Sequence, residues 1–116
     1  MHLTDLYAEG FPSALGREER LNYEMTGTNL TGVRAYVDRL RWAEGLILVF
    51  PTWWYGMPAM LKGYLDRVWL PGVAFDMKPD GTVSTDRLKS LRRIIVITTY
   101  GGSCWMVRGW CRCRAR

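Results

Sequence analysis

The sequence predicts an α/β fold organised on a parallel sheet, with ligand-ready loops at one sheet edge. Three observations predict it. Residues 46–50 (Leu46, Ile47, Leu48, Val49, Phe50) and 94–99 (Ile94, Ile95, Val96, Ile97, Thr98, Thr99) are apolar, β-branched-rich runs. Uninterrupted runs of that kind suit strands covered on both faces, as in a parallel sheet. Helix-like stretches at 33–40 and 57–68 alternate with the strands, the rhythm of βαβ units. Each strand ends in a chemically distinctive loop: Thr52-Trp53-Trp54-Tyr55-Gly56 after the first run and Tyr100-Gly101-Gly102-Ser103 after the second. In open α/β sheets, ligands lie outside the carboxyl ends of the strands.

The elements follow in chain order. Residues 3–8 read as a short strand, ended by Gly10, Phe11 and Pro12. Residues 17–23 (Arg17, Glu18, Glu19, Arg20, Leu21, Asn22, Tyr23) read as one or two charged helical turns facing water. Residues 26–32 form a polar loop, in which Asn29 or Thr31 can cap the next helix. Val33, Tyr36, Val37 and Leu40 fall at i, i+3, i+4 and i+7, an amphipathic helix. Gly45 suits a left-handed C-cap. The strand 46–50 follows, and Pro51 is expected to stop its ladder. Pro58 fits a first helical turn, and Met57, Leu61, Leu65 and Val68 form the apolar stripe of the helix after it. Lys78-Pro79-Asp80-Gly81 reads as a turn.

Composition bounds the class. A chain of 116 residues, 48% of them hydrophobic, holds at most one domain. No apolar run approaches 18 residues, so no integral membrane association is expected. The N-terminus lacks the basic and apolar regions of a signal peptide, and a cytoplasmic protein is the default reading. The net charge of +5 is unevenly placed. Residues 1–86 hold eight Lys/Arg and all eleven Asp/Glu, whereas residues 87–116 hold eight Lys/Arg and no acid. Such a one-ended cluster is poor support for a small basic nucleic-acid-binding protein, which needs a basic folded face. Cys104, Cys111 and Cys113 are odd in number and lack zinc-knuckle spacing, so they read as free thiols with no metal.

Aromatic rings and backbone amides at the strand ends could hold a flat, partly polar heterocycle. The plainer alternative is that Trp53, Trp54 and Tyr55 cap the core. A resemblance bears on that choice. Pro51-Thr52-Trp53-Trp54-Tyr55-Gly56-Met57-Pro58-Ala59, with Leu61-Lys62-Gly63 and Asp66-Arg67-Val68 after it, resembles the NAD(P)H:quinone oxidoreductase family. The similarity runs more weakly to Asp5-Leu6-Tyr7-Ala8-Glu9-Gly10-Phe11 and Thr98-Thr99-Tyr100-Gly101-Gly102. It covers residues 3–105.

The resemblance implies a flavodoxin-like three-layer α/β/α fold with a parallel sheet. The chain would hold about three of its five strands, the second, third and fourth, in residues 1–107. The first strand with its phosphate loop, and the fifth strand, have no counterpart. Residues 108–116 form a basic Arg/Cys tail outside the fold. The implied activity is hydride transfer from NAD(P)H to flavin N5 and on to a quinone, with FAD as the flavin and FMN as the alternative. By motif, Thr52, Trp53, Trp54 and Tyr55 would line the isoalloxazine ring, and Trp54 and Tyr55 would also wall the nicotinamide and quinone pocket. Thr98, Thr99, Tyr100 and Gly101 would contact the ring's polar edge. No residue answers to the acid or base of the mammalian branch, so no catalytic residue is assigned. Lys62, Asp66 and Arg67 read as packing or dimer-contact residues, and family members are homodimers. The alternative to a working enzyme is a truncated, non-catalytic remnant of that family.

Overall fold

A computed structural model describes residues 1–85 and 87–102. Its elements in chain order are α1 (Arg17–Leu21), α2 (Arg34–Trp42), β1 (Gly45–Pro51), α3 (Ala59–Val68), β2 (Asp76–Met77), β3 (Val83–Ser84) and β4 (Arg93–Thr99). Strands β1 and β4 pair in parallel, Gly45 beside Arg93 through Pro51 beside Thr99. Strands β2 and β3 make a two-residue antiparallel hairpin across the expected turn, where Gly81 adopts φ +80° and donates to the Lys78 carbonyl.

The two amphipathic helices make the core. On α2, Val37 and Leu40 are buried, and Val33 just before it is buried too. On α3, Leu61, Tyr64 and Val68 are buried. They meet Phe11, Leu30, Leu70 and Val73, with Leu46, Leu48 and Phe50 of β1 packed against the cluster. Phe11, Tyr36 and Tyr64 form a ring cluster, Phe11 and Tyr36 edge to face at 4.9 Å. Burial pushes the Tyr64 phenol above its ordinary pKa.

Several local expectations are corrected. Residues 3–8 do not form a strand. Asp5 Oδ1 accepts from the amides of Tyr7 and Ala8, and the Asp5 carbonyl accepts from Glu9. A side chain that satisfies nearby amides favours a turn over a ladder. Neither Asn29 nor Thr31 caps α2, whose N-cap is Val33. Asn29 instead donates to the carbonyls of Tyr23 and Pro71 and accepts from Gly27, tying the polar loop to the chain after α3. Gly45 is no left-handed cap. The C-cap of α2 is Ala43 in extended conformation, and Gly45 opens β1. The stripe on α3 is rotated from the one expected: Tyr64 and Arg67 are buried, Leu65 is half-buried and Met57 is exposed.

Pro51 does not end the ladder either. The Thr52 amide donates to the Thr99 carbonyl at 2.9 Å. Backbone groups alternate in direction along a strand, so Thr52 faces β4 and Pro51 faces away, where its missing N–H costs nothing.

The apolar runs alone read as strands covered on both faces, whereas a sheet short of family strands is expected to expose edges and apolar faces, and the structure shows such exposure. In β1 only Leu46, Leu48 and Phe50 are half-buried, alternating with exposed neighbours. In β4 every residue except Thr98 is exposed. Both helices contribute to one core on one side of β1. Ile47, Val49, Ile95 and Ile97 share the opposite face, and each is about half exposed or more.

Arg67 joins the N-terminal segment to α3. It is 5% exposed, pairs with Glu19, donates to the Pro12 carbonyl and lies 5.2 Å from the Phe11 ring centroid. The segment 17–23 therefore carries a structural ion pair, besides the solvated charges expected of it.

Candidate functional site

The site begins with the register. Because β1 and β4 are adjacent and parallel, their carboxyl ends lie on one edge of the sheet. The structure thereby brings together the two loops that the sequence singled out. The join is specific: Thr52 donates twice to the Thr99 carbonyl, from its amide and from Oγ1, each at 2.9 Å.

Beyond that join the chain reverses in a two-residue turn. The amide of Trp53 donates to the Gly56 carbonyl at 3.0 Å, and that of Gly56 donates to the Trp53 carbonyl at 2.8 Å. Between them, Trp54 and Tyr55 have φ of +48° and +59°. Positive φ at both central residues is the type I′ arrangement, which favours Asn and Gly. For a residue with a Cβ this backbone costs about 1–2 kcal/mol. These two are the only non-glycine residues at positive φ among the described residues. Strain of this kind persists where its surroundings enforce it, and it clusters at ligand clamps.

The turn displays its rings. Trp54 is 97% exposed and Trp53 64%, while Tyr55 is less open at 41%. The plainer reading of the loop, aromatic residues capping the core, therefore fails for Trp53 and Trp54. The amides of Thr52, Trp53 and Gly56 are all engaged within this join and turn.

On the β4 side, Thr98 sits beside Phe50, half-buried, and its Oγ1 is shielded from solvent without a hydrogen-bond partner. Thr99 offers its carbonyl to Thr52. Tyr100 is 45% exposed, and a side chain at Gly101 would meet open space. Ser103, Val107, the three cysteines and the tail 108–116 lie outside the described residues. A separate hollow of about 330 Å³ lies among Glu24, Thr26, Pro71, Gly72, Asp76, Met77 and Lys78. It contains none of the eight predicted site residues. The strand-end loops therefore remain the better candidate.

Sequence reasoning missed the doubled Thr52–Thr99 join and the strained turn. The second had a faint signal, since Gly56 closes an aromatic stretch directly after a strand.

The sequence pattern of a family described by its flavodoxin-like fold matches residues 1–109. The chain belongs to the flavodoxin-like fold family. The relatives agree with that placement. The NAD(P)H oxidoreductase YcaK of Escherichia coli, itself uncharacterized, is 39% identical over 72 residues, which is 61% of this chain and 37% of YcaK. An FMN-dependent NADH:quinone oxidoreductase of Bordetella avium is 32% identical over 68 residues, 59% of this chain and 32% of its own. In structure, an NAD(P)H:quinone oxidoreductase from Methanothermobacter marburgensis superposes with a TM-score of 0.79 at 28% identity, over 94% of this chain and 54% of that one. The chain thus spans about half or less of the length of these flavodoxin-like relatives. Among the described residues, no helix is long and apolar enough to cross a membrane.

Proposed function

We propose that this chain carries the flavin-ring half of a flavin-dependent NAD(P)H:quinone oxidoreductase site. One observation supports the reading above the others. Two strand-end loops meet at one sheet edge, joined through Thr52 and Thr99, and present a strained turn with exposed rings.

The residues present fit a flat heterocycle with polar atoms on its rim. The faces of Trp53 and Trp54 offer stacking surface. Thr98 Oγ1 is a polar atom in want of a partner at the same edge. Gly101 leaves room for close backbone approach. A bound flavin would supply two-electron hydride transfer between NAD(P)H and a quinone. The chain's own share is orientation. Thr52 fixes the spacing of the two loops, Trp54 and Tyr55 wall the space over the ring for nicotinamide and quinone, and Tyr100 borders the polar edge. FAD is the proposed flavin, with FMN as the alternative. A quinone is the proposed acceptor, a homodimer the proposed assembly and the cytoplasm the proposed location.

The test is turnover by the purified chain. NAD(P)H consumption is expected only when flavin and quinone are both supplied. The second reading, a remnant that keeps the fold and binds no flavin, is favoured by the uncovered faces of β4. It predicts no consumption above free flavin.

A further inference from the structure

We propose that residues 4–19 form an acid-released strap, clamped to the two core helices through Glu9 and Glu19 and freed as a unit when both carboxylates are protonated. The proposal does not depend on flavin binding. Each clamp joins the segment to a different helix. Arg39 of α2 donates from Nη1 to Thr4 Oγ1 at 3.4 Å and to the two carboxylate oxygens of Glu9 at 3.2 and 3.1 Å. Arg67 of α3 pairs with Glu19 and donates to the Pro12 carbonyl. The other two ion pairs among the described residues stay local. Lys62–Asp66 lies within α3, and Arg87–Asp76 joins β2 to the chain just after β3.

The apolar hold on the segment is small by comparison. Among the described residues, ten hydrophobic side chains make the buried core; Phe11 is the one from the segment, and the other nine lie between Leu30 and Val73. Leu6 adds a partly buried side chain. Regions with few buried apolar contacts open at a lower free energy than the whole fold. Phe11 itself sits between the clamps. It lies edge to face with Tyr36, on the helix that carries Arg39, and 5.2 Å below the Arg67 guanidinium.

The charges around each carboxylate set the direction of the switch. Glu9 faces the Tyr36 hydroxyl, which donates to it, the Arg39 guanidinium and His2 of the N-terminal chain. Tyr36 and Arg39 hold it below its ordinary value of 4.5. Glu19 is raised by burial, but the Gly16 amide and Arg67 outweigh that and hold it below the same value. Burial raises the phenols of Tyr36 and Tyr64, which pack on Phe11, so both stay neutral in acid. A carboxylate with a depressed folded value stabilises the closed form fully above its unfolded value and loses that effect as pH falls through the folded one. The strap is therefore closed above about pH 4.5 and opens below it. Arg67 adds a drive to the opening. It is 5% exposed, and with Glu19 neutral it becomes a buried cation without a counter-ion, which release of the strap returns to water.

The experiment labels the three phenylalanines of the full chain, Phe11, Phe50 and Phe75, with 4-fluorophenylalanine. Fluorine NMR then follows them from about pH 7 to about pH 2, and Phe11→Leu assigns the Phe11 resonance. Phe50 reports the sheet, and far-UV circular dichroism the whole fold. The Phe11 resonance should reach a solvent-exposed position about half a pH unit or more above the pH at which the other two signals change. Its transition should take up about two protons. Glu19→Gln should move that transition to higher pH and cut it to about one proton. Glu9→Gln, at the more open clamp, should do the same. Glu18→Gln, outside both clamps, should change neither the midpoint nor the slope. A Phe11 resonance that moves only together with Phe50 and the circular dichroism would overturn the proposal. So would a Phe11 transition that both clamp variants leave at the wild-type pH and slope.

Discussion

Gly63→Ala is expected to destabilise the chain by about 2 kcal/mol or more, although alanine is the better helix former by ~1 kcal/mol. A Cβ at Gly63 would collide with the Ser13 carbonyl oxygen and Cα. Both obstacles are backbone, so no side-chain rotation relieves them. Either α3 lifts or the segment carrying Ser13 moves, and that segment runs between buried Phe11 and the Glu19 end of the Arg67 ion pair. Denaturant unfolding of both proteins measures the difference. Equal or greater stability in the variant would mean that the N-terminal segment does not lie against α3.

The second large effect is Arg67→Ala, with an expected cost of about 2–3 kcal/mol at neutral pH. It strips the donor from Glu19 and from the Pro12 carbonyl and leaves space beside Phe11. The effect should depend on pH in a stated direction. Burial raises the Glu19 carboxyl, but the Gly16 amide and the Arg67 guanidinium outweigh it and hold the group below its ordinary value of 4.5. A carboxylate whose folded pKa is depressed adds stability that is full above its unfolded value and fades as pH falls through the folded one. The stability difference between wild type and Arg67→Ala should therefore shrink on acidification below about pH 4.5. A pH-independent difference would mean that Arg67 acts through packing and the Pro12 carbonyl and not through Glu19.

The sequence made the sheet edge of the candidate site legible before the rest of the molecule. Apolar runs at 46–50 and 94–99 are strands, in parallel, with their loops side by side. Val33, Val37 and Leu40 are buried as their spacing implies. What periodicity misjudged was covering. A run such as residues 94–97 announces a strand suited to burial, but burial on both faces needs elements on both faces, and both helices lie on one. Residues 3–8 were misread because an apolar pattern with Asp5 inside it weighs less than the two amides that Asp5 holds. Arg67 was assigned to packing or the dimer contact without its partner, since Glu19 lies 48 positions away and no local pattern links them. The positive φ at Trp54 and Tyr55 was hidden for a similar reason. The chain there lacks the Asn or Gly that usually marks such a turn, and two cross-turn hydrogen bonds impose it instead.

That turn also decides the account. Trp54 is almost fully exposed, so it contributes little to the core and costs strain where it stands. Replacing it with glycine should leave the fold intact, or stabilise it by about 1 kcal/mol. The most direct test is a flavin-fluorescence titration of the wild-type chain and Trp54→Gly, with FAD and FMN separately. Saturable quenching by wild type, weakened at least about tenfold in the equally stable variant, is the predicted result. Quenching that is identical in the two proteins, or absent from both while they remain folded, would contradict the claim that the strained aromatic turn holds the ring.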